Sequence, residues 1–208
     1  MNTDAPLESH PWAPFVPSHS RALIMGTFPP GPHRWAMDFY YPNPGNDFWK
    51  IMGMIACGSA SAFYDSSTRK YRLDDIRLML GRCGIALSDT GRKVRRLKGN
   101  ASDKHLLIVE PVDLSGLLER MPECVAIATT GEKAASVVAG LTDTVVPRMG
   151  EHVLWNRHNA TPIAIWRLPS TSRAYPLAVA AKADYYRRFL VAAGCIAPAG
   201  IEDCGGNG

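Results

Sequence analysis

The chain lacks the long hydrophobic runs and the paired cysteines that would define several protein classes. No stretch of its 208 residues approaches the ~20 consecutive apolar residues of a membrane span, and the first twenty lack the basic-then-apolar order of a secretory signal. The five cysteines include no CxxC pair, and the six histidines show no metal-ligand spacing. We therefore expect a cytoplasmic protein with reduced cysteines that uses no membrane, metal or cofactor.

The composition is that of one folded domain. Hydrophobic residues make up 46% of the chain and charged residues 20%, which allows a sizeable core. We predict a flexible N-terminal segment over residues 1–20, a single domain over 21–195 and a flexible, glycine-rich tail over 196–208.

Apolar runs and helical periodicities alternate along the domain. Buried-strand patterns cover 22–27, 85–90, 124–131 and 162–169. Helical patterns cover 47–56, 73–84, a stretch from Ser102 to the break at Pro111, 113–121, 132–141 and 177–194. This alternation predicts an α/β fold with a mostly parallel central sheet covered on both faces. In such a sheet the loops at the carboxyl ends of the strands hold the site, which indicates 27–47, 88–100 and 169–176.

Two of these loops carry distinctive chemistry. The first combines aromatic rings with Asn43 and Asn46, which suits a planar heterocycle because rings stack on its faces and carboxamides bond its edge. The alternative is a proline-pinned loop whose rings fill the core. The last loop places Ser170, Thr171 and Ser172 beside Arg173, a set that suits phosphate oxygens.

A basic run follows the second strand. It contains Arg92, Lys93, Arg95, Arg96 and Lys98 with no acidic residue, in a chain of net charge +4. The run indicates either contacts with a polyanion or a solvated basic surface.

The order of these motifs resembles the uracil-DNA glycosylase superfamily. The matching segments are GTFPP, FYYPNPGNDFW, IALSDT and LPSTSRAY, and the hypoxanthine and mismatch-specific uracil branches are the most similar. The resemblance implies a three-layer α/β/α sandwich whose central, mostly parallel sheet grips a flipped nucleotide of damaged DNA. We also expect a monomer that associates with the nucleoid when it binds DNA.

The resemblance also implies roles for individual residues. Tyr41 would stack on the extruded base, Asn46 would act in catalysis, and Ser88 and Asp89 would read the base edge. The loop of Ser170, Thr171, Ser172 and Arg173 would press on the DNA backbone, with Arg92, Lys93, Arg95 and Arg96 as further contacts.

Four positions depart from the family pattern, and two of them are Arg173 and Tyr175, where the family frequently has proline and asparagine. Phe28 stands where the mismatch-specific branch has an asparagine and other branches an aspartate that positions water, so that route is absent. Asn43 stands where close relatives commonly have histidine. Phe28 and Asn43 belong to the expected base-binding set.

The expected chemistry is hydrolysis of an N-glycosidic bond. Asn46 can hold water or bond the base but cannot remove a proton, so Asp38 and Asp47 are the candidate general bases, with helix capping as the alternative for Asp47. Because the aromatic loop has no lysine before Lys50, we expect no Schiff-base step. The competing hypotheses are a catalytically silent nucleic-acid or nucleotide-binding module and a phosphotransfer enzyme, the latter suggested by TTGEKAAS, which lacks P-loop spacing.

Overall fold

The computed structural model describes residues 5–97, 105–157 and 161–198. Its strands are β1 (Leu7–Ser9), β2 (Ala22–Gly26), β3 (Tyr64–Asp65), β4 (Lys70–Tyr71), β5 (Ile85–Asp89), β6 (Gly91–Arg96), β7 (Leu106–Pro111), β8 (Ala126–Thr130), β9 (His152–Trp155) and β10 (Ile163–Leu168). Its α-helices are α1 (Phe48–Cys57), α2 (Leu73–Cys83), α3 (Leu114–Glu119), α4 (Glu132–Thr142) and α5 (Val179–Ala192), and a 3-10 turn covers Pro32–Arg34.

The central sheet has the strand order β5-β2-β8-β10-β9. Strands β5, β2, β8 and β10 are parallel, and β9 adds an antiparallel edge. Every residue of β2, β5 and β8 is buried, because both faces of the sheet are covered and the strands therefore need continuous apolar runs. The structure confirms the predicted α/β class and the mostly parallel sheet.

Alternate residues of each strand enter two separate apolar clusters. Ile24 belongs to a cluster that includes side chains of α1, α2 and α5, whereas Leu23 and Met25 belong to one that includes side chains of α3 and α4. This division follows from the two-residue repeat of a strand. The strands thus contribute to two different apolar clusters, and their ends remain available for a site.

A second sheet with the order β1-β6-β7 corrects one prediction. The stretch ending at Pro111 was predicted to be helical, but 106–111 form β7, which pairs antiparallel with β6. Val94 is fully buried and Leu106 is 4% exposed, so the cross-strand contacts of this sheet outweigh the local helical pattern. The predicted start of that stretch, Ser102, lies outside the described residues.

The N-terminal segment, predicted to be flexible, packs on the domain from residue 5 onward. Strand β1 pairs with β6, and Phe15 forms an antiparallel bridge with Leu87. His10 and Ser20 are buried. At the other end, Ile196 of the predicted tail 196–208 is 8% exposed, and residues 199–208 lie outside the described residues.

Candidate functional site

A cavity of about 610 Å³ opens at the carboxyl ends of β2, β5, β8 and β10. Its walls come from residues 26–46 after β2, from Asp89 and Thr130 at the ends of β5 and β8, and from 170–174 after β10. The cavity therefore joins the three loop regions that the sequence indicated. Parallel strands place their carboxyl ends at one edge, which is why segments distant in the chain meet here.

Tyr41 forms part of the cavity wall in an unusual backbone conformation. Its φ angle is +53°, in the left-handed region that aromatic residues rarely adopt. The ring stacks on Phe48 with centroids 3.8 Å apart and planes 13° from parallel. Its hydroxyl lies 3.1 Å from the hydroxyl of Thr130. Stacking and hydrogen bonding thus offset the backbone strain and fix the ring at the cavity.

Asn46 also lines the cavity, immediately before α1. Its Oδ1 accepts a hydrogen bond from the backbone N–H of Phe48 at 2.9 Å. Its own N–H donates to the carbonyl oxygen of Asn43, so the backbone is held as well. Because Oδ1 is engaged by the helix start, the side chain offers Nδ2 as its hydrogen-bond donor.

Asp47 lies outside the cavity lining and is only 4% exposed. Its Oδ2 accepts a hydrogen bond from Lys182 Nζ at 2.8 Å, and its Oδ1 lies 3.2 Å from Lys50 Nζ. Lys182 is fully buried and also donates to the carbonyl oxygen of Ser172. The Asp47 carboxylate is therefore an anchor between α1, α5 and the last loop.

Asp38 is exposed and lies away from the cavity lining. Its Oδ1 accepts a hydrogen bond from the indole N–H of Trp12 at 2.6 Å. The structure therefore brings neither Asp38 nor Asp47 into the cavity.

Asp89 is the carboxylate that the described cavity lining contains. It ends β5, is 5% exposed and pairs through Oδ2 with Nε2 of His10 at 2.9 Å. Ser88 is fully buried, is absent from the described lining and donates its hydroxyl to the carbonyl oxygen of Asp89. Of the two residues expected at the base edge, only Asp89 reaches the cavity.

Phe28 and Asn43 both line the cavity. Phe28 contacts the edge of the His10 ring, and the guanidinium of Arg96 lies 5.5 Å from its centroid. Asn43 Oδ1 accepts a hydrogen bond from the N–H of Gly45 at 2.9 Å. Its carboxamide therefore stabilises the turn that precedes Asn46.

The last loop contributes Ser170, Thr171, Ser172 and Arg173 to the cavity lining. Thr171 is buried, and its carbonyl oxygen accepts the N–H of Asp47 at 2.9 Å. The hydroxyl of Ser170 accepts the N–H of Ser172, and Arg173 is exposed. The loop is therefore tied to the start of α1 while its tip faces solvent.

The basic run forms β6 and is tied into the protein. Arg92 donates to the carbonyl oxygen of Trp12, Lys93 pairs with Glu110, and Arg95 donates to the carbonyl oxygen of Ala5. Arg96 pairs with Glu8 at 2.9 Å and donates to the carbonyl oxygen of Pro29. The run thus connects the N-terminal segment to the loop carrying Phe28, and Lys98 lies outside the described residues.

Sequence reasoning missed three residues of this region. Arg34 lines the cavity and, like Arg173, is exposed at its mouth. His10 and Lys182 are buried polar groups that hold Asp89 and Asp47. Only Arg34 had a local signal, since it follows GTFPP in the loop that the sequence singled out.

Within residues 5–97, 105–157 and 161–198, no cluster of three or more histidine, cysteine, aspartate or glutamate side chains is arranged to hold a metal ion. Over the same ranges no helix has the length and apolar character needed to span a membrane.

The fold and site together define a mixed α/β protein with an aromatic and polar cavity at one edge of a mostly parallel sheet. Comparisons with protein-family models and with curated proteins gave no match. Among solved structures, the chain is similar to a Methanosarcina acetivorans protein whose solution NMR structure is described as a "putative Uracil DNA glycosylase". The TM-score is 0.56 over 88% of this chain and 98% of that chain, at 20% identity, which establishes a likeness of fold.

Proposed function

We propose that the protein is a monofunctional DNA glycosylase that hydrolyses the N-glycosidic bond of a deaminated base in DNA. The observation that carries the proposal is the convergence of the Tyr41 ring, the Asn46 carboxamide and the Asp89 carboxylate on one open cavity. A stacking surface beside donors and acceptors is what binding of an extruded base requires. The proposal includes a monomeric chain and a three-layer α/β/α arrangement of one domain over 21–195, on which residues from 5 onward pack.

Base binding uses the stacked pair of Tyr41 and Phe48. Phe48 covers one face of the Tyr41 ring, so an incoming base stacks on the other face. Phe28 and Asn43 contribute apolar and amide contacts, and Asp89 accepts from an N–H of the base. Extrusion from the duplex costs a few kcal/mol and is easiest for a mispaired or damaged base, which favours uracil, hypoxanthine or xanthine.

Bond cleavage places negative charge on the departing base and positive charge on the sugar. Asn46 Nδ2 donates to the leaving base or holds the attacking water, since Oδ1 is engaged by Phe48. Leaving-group stabilisation and positioning supply most of the rate enhancement. The described cavity lining contains no lysine, so the product is an intact abasic site.

DNA contacts come from the last loop and from the mouth of the cavity. Ser170, Thr171 and Ser172 supply hydroxyl and backbone donors to phosphates, and Arg173 enters the vacated base position. Arg34, exposed at the same mouth, adds a second cation. Because the side chains of β6 have partners within the protein, we assign them a smaller share of the DNA affinity.

A catalytically silent binding module on the same fold is the second candidate. It is favoured by Phe28, which brings a ring rather than a water-positioning carboxamide or carboxylate to the cavity. The test is alkali-induced strand scission of duplexes carrying uracil, hypoxanthine or xanthine, with an undamaged duplex as control. Scission of a damaged duplex supports the glycosylase, whereas tight binding without abasic product selects the silent module.

A further inference from the structure

The N-terminal segment contributes a buried histidine that pairs with Asp89, a residue of the cavity wall. The His10 side chain is fully buried, and its Nε2 lies 2.9 Å from Oδ2 of Asp89, 79 positions away in the chain. Of the described residues, His10 is the one whose side chain bonds this carboxylate. Residue 10 also precedes GTFPP, the first of the segments that carry the family resemblance.

The two oxygens of Asp89 have different surroundings. Oδ2 is held by His10, whereas Oδ1 lies over the Cα of Gly26, where a Cβ atom would come within 2.5 Å of it. Only glycine permits this approach, and it keeps the carboxylate at the cavity wall. Because Oδ2 is engaged, Oδ1 is the oxygen available to a molecule in the cavity.

The His10 ring is itself fixed. It contacts Phe28 and Trp12 edge-on, with centroid distances of 5.3 and 5.7 Å. Nδ1 lies 2.8 Å from the carbonyl oxygen of Trp12 and 3.1 Å from its amide nitrogen. Because an ionised carboxylate has no donor, the contact at Nε2 uses a proton on Nε2, and in that tautomer Nδ1 accepts the N–H of Trp12.

We propose that His10 is a specificity-determining positioning residue, which holds Asp89 so that Oδ1 accepts an N–H group of the bound base. The inference rests on the proposed function and defines its substrate class as bases that present a ring N–H to Oδ1. An ionised carboxylate has no donor, so a carbonyl oxygen or an alkylated nitrogen at that position loses the hydrogen bond and is repelled or excluded.

The test measures equilibrium binding of two ring compounds that cannot be cleaved. In 9-methylhypoxanthine a methyl group replaces the sugar and N1–H is kept, whereas 1,9-dimethylhypoxanthine lacks that donor. We expect the wild-type protein to prefer the first by on the order of tenfold or more. The Asp89→Ala variant gives the ratio of the two binding constants that shape alone produces. The His10→Phe variant should lower the ratio of the two binding constants to that level.

Two further variants serve as controls. His10→Gln supplies an amide N–H to Asp89 and should keep most of the preference. His19→Phe replaces an exposed histidine that pairs with Glu123 away from the cavity, and it should leave the ratio unchanged. Far-ultraviolet circular dichroism of each variant establishes that it is folded.

A wild-type ratio equal to that of Asp89→Ala, or a folded His10→Phe variant with the wild-type ratio, would overturn the proposal. If His10→Phe does not fold, nitrogen-15 spectra of wild-type His10 decide: a protonated Nε2 supports the proposal, and an unprotonated Nε2 contradicts it. Binding of these compounds needs no bond cleavage. A preference for 9-methylhypoxanthine in a protein that forms no abasic product would therefore reject the proposed hydrolysis and leave this inference standing. Abasic product with a ratio independent of His10 would reject this inference alone.

Discussion

Replacing Lys182 with methionine should destabilise the domain by about 3–5 kcal/mol, the typical cost of breaking a buried ion pair. Lys182 is fully buried, and its Nζ lies 2.8 Å from a carboxylate of Asp47 whose side chain is 6% exposed. Methionine fills a similar volume but leaves that carboxylate without its buried partner. For a domain of this size the melting temperature should fall by about 6–20 °C.

Lys50→Met provides the matched control because it removes the other cation from the same carboxylate. The Lys50 side chain is 41% exposed and its Nζ lies 3.2 Å from Oδ1, so its loss should cost about 1 kcal/mol or less. Lys182→Met combined with Asp47→Leu removes both buried charges and should recover much of the lost stability.

Urea unfolding followed by tryptophan fluorescence measures these differences. The account also expects Lys182→Met to weaken DNA binding, because Lys182 holds the carbonyl oxygen of Ser172 and thereby the last loop. A Lys182→Met protein whose unfolding free energy equals that of Lys50→Met would refute the reasoning.

Three other outcomes are expected. Asn46→Ala should lower the single-turnover rate of base release by two or more orders of magnitude, whereas unchanged turnover would remove Asn46 from the chemistry. The double variant Arg34→Ala with Arg173→Ala should reduce the slope of log binding constant against log salt by about 2 on duplex DNA. The double variant Arg95→Ala with Arg96→Ala should reduce that slope by less. Equal slopes in the two double variants would contradict the larger share of DNA affinity assigned to Arg34 and Arg173. Burial raises the pKa of Cys124 to about 11 and that of Cys195 to about 12. Both thiols should therefore resist a disulfide reagent at pH 8 until urea unfolds the chain. Rapid labelling of Cys124 or Cys195 in the native protein would contradict this.

The same thiols give the stability a defined pH dependence. Their folded pKa values exceed the ordinary thiol value of 9.0, so the folded state favours the protonated form. The stability that these two protonated thiols contribute is complete below pH 9. It is lost as the pH rises from 9 through their folded pKa values of about 11 and about 12. The double variant Cys124→Ala with Cys195→Ala should flatten the decline in melting temperature between pH 9 and about 12. An unchanged decline would mean that other groups cause it.

The central sheet and the position of the cavity were predictable because they depend on continuous apolar runs. Strands buried on both faces leave a signal that local composition carries, and their carboxyl ends collect the loops. Strand β6 of the second sheet has no such run, since it is mostly charged and its pairing depends on the distant strands β1 and β7.

The buried polar anchors were not predictable for a related reason. Hydrophobic periodicity treats Lys182 as solvent-facing, yet the fully buried side chains of α5 include Lys182 and Tyr186. Asp47, 135 positions away, stabilises that lysine. His10 is the same case, because Asp89 becomes its partner only once the N-terminal segment has packed on β5 and β6.

The most direct test of the account is a crystal structure of the protein with a duplex that carries 2′-fluoro-2′-deoxyinosine, whose glycosidic bond resists hydrolysis. The account predicts an extruded base in the cavity, stacked on Tyr41, with Asn46 beside the bond to the sugar and residues 170–174 against the backbone. A base that stays stacked in the duplex, or a DNA molecule bound elsewhere with this cavity unoccupied, would contradict it.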